Sequence, residues 1–254
     1  MLTTLILLFF AYVVLFLLSV FLRDNSIADI FWGSWFVIIA LSSFFTLENP
    51  NLTQIFVTGF ITFWWLRLTY HIGRKKLSHS WEDARYAKWR KQWKYFYIRS
   101  FFQVYLFQWF LMCLIATPIF LINLNLLLSN NYILVIVWWA IAIFGLIYEI
   151  IADSQLKQFI KTKKKWEILT SWLRKYSRYP QYFGESIFWL GISIIALQVH
   201  VFALLWWWVI TFLLLYVSWV PMLEARYAWD KNYEKYSERV PKFLPKISLL
   251  LWKK

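Results

Sequence analysis

Seven long apolar runs constrain this chain more than any other feature of its sequence. They occupy residues 2–22, 29–45, 52–72, 98–128, 132–152, 183–199 and 201–220. A helix of about 20 apolar residues crosses the hydrocarbon core of a bilayer, so each run is of a suitable length for one crossing. We therefore predict an all-α polytopic membrane protein with about seven transmembrane helices. The first run lacks the early basic region and the small-residue cleavage site of a signal peptide, which indicates a retained helix.

Basic residues are concentrated in three of the connections between these runs. Of the 27 Lys and Arg residues, 25 lie in the segments 73–99, 153–182 and 221–254. Because cytoplasmic connections of membrane proteins are rich in Lys and Arg, the pattern predicts an N-terminus outside and a C-terminus in the cytoplasm. A net charge of +14 is also compatible with nucleic-acid binding, but the clustering of the basic residues in alternate connections argues against that partner.

The chain shows neither a fixed repeat nor a Pro/Gly/Ser-rich linker, so residues 1–254 are interpreted as one domain. Its one cysteine, Cys113, lies inside an apolar run and can form no internal disulfide. The three histidines lack zinc spacing, and no metal site is predicted. Pro118 is expected to kink the fourth apolar run or to end its helix.

Several ionisable residues lie within or at the ends of the apolar runs. They are Asp29, Arg67, Glu149, Asp153, Glu185 and Glu224. A charge in hydrocarbon is costly, and it indicates a functional site by default. Under the predicted topology all six fall toward the cytoplasmic half, which predicts one polar pocket open to the cytoplasm.

The segment 73–99 is predicted to be helical, with a start signal formed by Ser80 and Asp83. Aromatic residues at multiples of four then predict a stripe that lies among lipid headgroups. The stripe comprises Trp81, Trp89, Trp93 and Tyr97. A surface helix without chemistry explains the same pattern.

The stretch SRYPQYFGES at 177–186 is rich in polar residues beside an apolar run. Pro180 suits the first turn of a helix, and the residue before it should be extended. The amides free at this helix start would then favour an anion, with Arg178 as a fork-shaped partner and Gly184 allowing close approach. Those amides belong to Gln181, Tyr182 and Phe183. A plain helix-entry loop fits these residues equally well.

The longer stretch SRYPQYFGESIFWLGI resembles the C-terminal hallmark of the steroid 5-alpha-reductase family, and most closely that family's bacterial branch of poorly characterised membrane proteins. Further pieces support the resemblance in family order over most of the chain. They are NSIADIFWG at 25–33, WEDARYAKWR at 81–90, EIIADSQLKQF at 149–159, SWVPMLEARY, and a final Y..Y...VPKFLPK.

The resemblance implies NADPH-dependent reduction of a carbon–carbon double bond conjugated to a carbonyl, in a lipid such as a 3-oxo steroid. It implies substrate-side helices in 1–130 and a cofactor-binding half in 131–254. The implied cofactor contacts are Glu149, Asp153, Arg178, Gln181, Tyr182, Glu185, Arg226, Tyr233 and Tyr236. The catalytic candidates are Glu82 and Tyr86, with Tyr70 and Asp29 behind them; Glu82 would support a tyrosine hydroxyl that stabilises the developing oxyanion.

Two departures from the family pattern affect the nicotinamide contact. Tyr179 replaces the usual His, and Gln181 replaces the usual Asn and reaches further by one methylene. The six glycines never fall in G-x-G spacing, which argues against a soluble Rossmann dinucleotide site.

Two other functions stay open. The first is that of a methyltransferase, because the R-x-P-x-Y pattern with a late Glu also occurs in isoprenylcysteine carboxyl methyltransferases and phospholipid methyltransferases, which bind S-adenosylmethionine. The second is a non-catalytic lipid-binding protein. The expected location is the bacterial inner membrane with the active site facing the cytoplasm. The expected partners are membrane lipids and a lipid-like substrate from the bilayer, with no obligate protein partner evident.

Overall fold

The computed structural model describes residues 2–77, 82–125, 132–164, 167–217 and 219–246. All regular elements in these ranges are helical, and none of the described residues forms a strand. Five stretches are long and apolar enough to cross a membrane, namely Leu2–Leu22, Ile27–Phe44, Phe96–Ile115, Val135–Thr162 and Ala203–Tyr227. The predicted all-α class is therefore confirmed, and the described residues contain five candidate membrane spans, whereas the number of seven crossings stays a prediction.

The chain forms two compact units, the first of Met1–Asn130 with Gln198–His200 and the second of Asn131–Leu197 with Val201–Lys254. The helices of the first unit are α1 (Leu2–Leu22), α2 (Ile27–Phe44), α3 (Leu52–Leu77), α4 (Ala84–Gln92), α5 (Phe96–Ser100), α6 (Phe107–Ile115) and α7 (Thr117–Asn123). In this unit α2 packs along α3, and α1 packs on α2. A π-helical segment, Phe101–Leu106, joins α5 to α6.

Pro118 acts as predicted within the fourth apolar run. The helix α6 ends at Ile115, and Pro118 lies in the first turn of the short helix α7. Because proline lacks an amide hydrogen and fixes its own φ angle, the first turn of a new helix accommodates it best.

The helices of the second unit are α8 (Tyr132–Thr162), α9 (Pro180–Ala196), α10 (Ala203–Phe212), α11 (Trp219–Tyr227) and α12 (Lys231–Arg239). A 3-10 turn, Trp172–Lys175, precedes α9, and a π-helical segment, Leu213–Val217, follows α10. The most extensive helix pairing of the unit is that of α8 with α9.

Glycines set the distance between α8 and α9. A Cβ atom on Gly145 would lie 2.6 Å from the amide nitrogen of Phe188 and 2.7 Å from the carbonyl oxygen of Gly184. One on Gly184 would lie 2.7 Å from the amide nitrogen of Glu149. Small residues at such positions let two helix backbones approach closely in a membrane protein.

The aromatic stripe predicted over 73–99 is not one continuous helix. The helix α4 ends at Gln92, and Trp93 takes an extended conformation before α5 begins. Trp89 and Trp93 still stack, with ring centroids 5.0 Å apart. Ser80 and Trp81 lie outside the described residues, and the N-cap of α4 is Asp83, whose side chain accepts from the amide of Arg85.

Candidate functional site

Polar residues at the start of α2 and around α4 form the N-terminal cluster, within the first unit. Its members are Asn25, Ser26, Asp29, Glu82, Asp83, Arg85, Tyr86 and Arg90. The amide of Asn25 donates to Glu82 Oε1 at 2.9 Å, and the amide of Asp83 donates to Ser26 Oγ at 2.7 Å. These bonds fix the entry of α4 against the start of α2.

Asp29 is the acceptor at the centre of this cluster. The Tyr86 hydroxyl donates to Asp29 Oδ1 at 2.9 Å, and the Arg85 guanidinium donates to Asp29 Oδ2. Tyr86 is only 2% exposed. Its burial, followed by the effect of the Asp29 carboxylate, raises the pKa of Tyr86, so this hydroxyl keeps its proton at neutral pH.

The carboxylate of Glu82 has a different partner from the one expected. Arg90 donates to it twice, from Nη2 to Oε1 at 2.8 Å and from Nε to Oε2 at 3.0 Å. A two-pronged bond of this kind is geometrically specific. The expectation that Glu82 supports a tyrosine hydroxyl is therefore wrong for Tyr86, whose carboxylate partner is Asp29.

Tyr70, the fourth catalytic candidate, lies on α3 and is 66% exposed. The cluster thus brings together three of the four candidates, namely Asp29, Glu82 and Tyr86. Their catalytic roles stay predictions.

Residues from the α9 entry and from α11 and α12 form the C-terminal cluster, within the second unit. Its members are Arg174, Arg178, Tyr179, Glu224, Tyr233 and Tyr236. Arg178 Nη1 donates to Glu224 Oε2 at 2.8 Å. The hydroxyls of Tyr233 and Tyr179 lie 2.5 Å and 2.7 Å from Glu224 Oε1, and 2.8 Å from each other. Glu224 thus joins α11 to the α9 entry and to α12.

The segment 241–246 holds the backbone of the α9 entry in place. The amides of Arg178 and Tyr179 donate to the carbonyls of Pro241 and Lys242 at 2.9 Å and 3.2 Å. The Ser177 hydroxyl donates to the carbonyl of Phe243 at 2.7 Å. Hydrogen bonds to this segment therefore hold the chain from Ser177 to Tyr179, and with it the position from which the Arg178 side chain extends.

Arg178 has one donor that its neighbours leave unused. The residue is 6% exposed, and its Nε has no hydrogen-bond partner among the described residues. Buried polar atoms are nearly always paired, and an orphaned one calls for an explanation such as a catalytic role or a bound water or ion. The orphaned donor therefore fits an acceptor atom of a bound ligand.

Tyr182 adjoins the C-terminal cluster. Its ring stacks on that of Tyr179, with ring centroids 6.0 Å apart. The Tyr236 hydroxyl donates to the carbonyl of Arg174 at 2.5 Å. Two of the predicted cofactor residues, Tyr182 and Tyr236, thus lie within or beside the C-terminal cluster.

The other predicted cofactor residues have mixed surroundings. Glu149 is buried on α8, and Asp153, one turn further, is half-buried. Gln181 is half-buried at the first turn of α9, whereas Arg226 is exposed on α11. The structure shows where these residues lie, and their contacts with a cofactor stay predictions.

Two details of the α9 entry differ from the expectation. The amides of Tyr182 and Phe183 donate to the carbonyl of Tyr179, so they are not free for an anion. The space beside Gly184 is filled by the backbone of α8, so this glycine serves helix packing instead of ligand approach. Pro180 occupies the first turn of α9, as predicted.

The acid that organises the C-terminal cluster, Glu224, is absent from the predicted site residues. Its place at the end of an apolar run singled it out as an ionisable residue in an apolar setting. Its partner Arg178 lies 46 positions earlier, and no spacing rule joins residues so far apart.

Burial, reinforced by the bond to Glu224, raises the pKa of Tyr233 to about 12. A tyrosine in the unfolded chain has a pKa of about 10. The contribution of protonated Tyr233 to the stability of the folded protein is therefore complete below pH 10 and is lost as the pH rises toward 12. We expect the melting temperature to fall over this range, and to fall less steeply in Tyr233→Phe. Thermal unfolding of the detergent-solubilised protein measures this; an equal flattening in the exposed control Tyr95→Phe would contradict the assignment.

Long apolar helices and polar clusters at helix entries define a polytopic helical membrane protein. The chain belongs to the family described as proteins of unknown function, DUF1295, because that family's model matches residues 15–240. No curated protein and no solved structure matches it.

Proposed function

We propose that this protein is a membrane-embedded reductase that uses NADPH to reduce a carbon–carbon double bond conjugated to a carbonyl in a lipid. The observation that carries the proposal is the buried guanidinium of Arg178, with Nη1 bonded to Glu224 and Nε without a partner among the described residues. A planar guanidinium suits phosphate and carbonyl acceptors. The resemblance of the sequence to steroid 5-alpha-reductases supplies the reaction class.

The charge around the C-terminal cluster favours an anionic ligand. Lys175, Lys242 and Lys246 are exposed on the segments that adjoin Arg178. The phosphates of NADPH carry several negative charges, whereas the sulfonium of S-adenosylmethionine is a cation. Surrounding bases raise the local concentration of the anion and lower that of the cation. This difference ranks the reductase above the methyltransferase.

Bound NADPH would supply the hydride that reduces the double bond. Arg178, Tyr182, Tyr233 and Tyr236 are the residues that would hold it, with Arg178 kept in position by Glu224. The proton for the α carbon would come from solvent or from a side chain, and the catalytic roles of Asp29, Glu82, Tyr86 and Tyr70 stay predictions.

The proposal includes seven crossings, an external N-terminus and a cytoplasmic active site in the bacterial inner membrane. The two further crossings would be α3, with 26 residues, and α9, with 17 residues. Transmembrane helices have roughly 17–25 residues, so α9 lies at the short end of this range and α3 just beyond its long end. The restriction of Lys and Arg to alternate connections supports the orientation.

A thermal-shift comparison of the purified full chain in detergent tests cofactor binding. We expect NADPH at about 100 times its Kd to stabilise the protein by about 2.7 kcal/mol, and S-adenosylmethionine to leave the melting temperature unchanged. Stabilisation by S-adenosylmethionine alone would support the methyltransferase. Stabilisation by neither compound would support a non-catalytic lipid-binding protein.

A further inference from the structure

Two buried hydrogen-bond donors belong to aromatic rings that touch inside the first unit, away from the N-terminal cluster in sequence. Tyr12 on α1 is 2% exposed, and Trp35 on α2 is 6% exposed. Neither the Tyr12 hydroxyl nor the Trp35 Nε1 has a hydrogen-bond partner among the described residues. Their ring centroids are 5.2 Å apart, so the two side chains are in direct contact.

Unpaired donors are especially unfavourable here, because both residues belong to helices long and apolar enough to span a membrane. Hydrocarbon offers no acceptor, and every polar group at that depth must be satisfied by protein, by water or by a ligand. Two such donors on touching rings therefore indicate an acceptor that the polypeptide does not provide.

A π-helical segment packs against α1 one turn after Tyr12. Phe16, one turn after Tyr12 on α1, contacts Tyr105 with ring centroids 5.4 Å apart. Tyr105 is fully buried in the π-helical segment Phe101–Leu106, beside Ser19 of α1. The Ser19 proton is donated to the carbonyl of Phe16 at 2.7 Å. Single π-helical segments within α-helices occur frequently at functional sites.

The chemistry of the donors selects the acceptor. An indole N–H can only donate, and a carbonyl oxygen accepts two hydrogen bonds and donates none. A ligand hydroxyl would add a proton that itself needs an acceptor, and a charged group would be costly at this depth. A neutral carbonyl is thus the group that two adjacent donors satisfy best.

We infer that Tyr12 and Trp35 form a hydrogen-bonding subsite for the carbonyl oxygen of a neutral lipid. The inference rests on the proposed function only in taking the ligand to be a carbonyl-bearing substrate. The two bonds would hold the carbonyl of the lipid in one position. The Tyr86 hydroxyl, already donated to Asp29, then need not serve this oxygen.

Infrared spectroscopy of a labelled ketone tests the subsite on the full chain in a detergent without carbonyl groups. The probe is 2-octadecanone with a ¹³C carbonyl, whose stretching band shifts to lower frequency when the oxygen accepts hydrogen bonds. We expect a shifted band with the wild-type protein. The band is expected to disappear in the double variant Tyr12→Phe/Trp35→Phe, which keeps both rings aromatic.

The matched control is Tyr95→Phe/Trp208→Phe, which replaces the same residue types at positions 61% exposed in both cases. It should keep the shifted band, and thermal unfolding checks that both double variants are folded.

Absence of the band in the wild type, or its survival in the folded Tyr12/Trp35 variant, would overturn the inference. A shifted band obtained only with ¹³C-ester-labelled phosphatidylglycerol would overturn it too, because the donors would then serve bilayer lipid. The assay contains no NADPH, so its failure is distinct from failure of the proposed cofactor site.

Discussion

Gly145→Ala is expected to lower the free energy of unfolding by about 2–3 kcal/mol, because overpacking a close contact forces the backbone to shift. The added Cβ would lie 2.6 Å and 2.7 Å from backbone atoms of Phe188 and Gly184, which cannot rotate away as a side chain can. For a chain of this size the melting temperature should fall by roughly 5–10 °C. Circular dichroism of the detergent-solubilised protein during heating measures the change.

Gly59→Ala is the matched control. Gly59 lies within α3, and a Cβ atom there would meet nothing within 4 Å. Since alanine is favoured over glycine inside a helix by roughly 0.5–1 kcal/mol, this variant should be as stable as the wild type or more stable. Equal losses in the two variants would show that the distance between α8 and α9 does not limit stability.

Much of the fold was predictable because local sequence determines it. Runs of apolar residues predict membrane helices from length alone. The starts of α7 and α9 follow from Pro118 and Pro180, whose fixed φ angles suit a first helical turn. The break at Trp93 was not predictable from the four-residue spacing of its neighbours, because that spacing continues across the break.

The partners within the candidate sites were not predictable in the same way. Glu82 and Tyr86 are one turn apart in sequence, yet the Tyr86 hydroxyl bonds to Asp29, 57 positions earlier. The surroundings of Gly184 depend on the backbone of α8, since a glycine in a sequence pattern does not show what lies opposite it. Residue types thus identified the candidate groups, while tertiary packing decided which groups meet.

Arg178→Lys is expected to weaken NADPH binding by about 10- to 100-fold, in line with the 1.5–3 kcal/mol of a hydrogen bond to a charged group. Lysine keeps the charge opposite Glu224 but lacks the planar fork, so it cannot bond to Glu224 and also present the second donor of Arg178. Isothermal titration of the detergent-solubilised full chain with NADPH measures the loss.

Lys175→Gln separates this geometric effect from a general loss of positive charge. Lys175 is exposed three residues before Arg178, and it contributes to the same basic surface. Exposed charges are screened by salt, so this variant should lose only a few-fold in affinity, and less as the salt concentration rises. The loss in Arg178→Lys should persist at high salt, because its cause is a missing buried donor. Similar affinities and salt dependences for the two variants would mean that the C-terminal cluster attracts NADPH by charge alone.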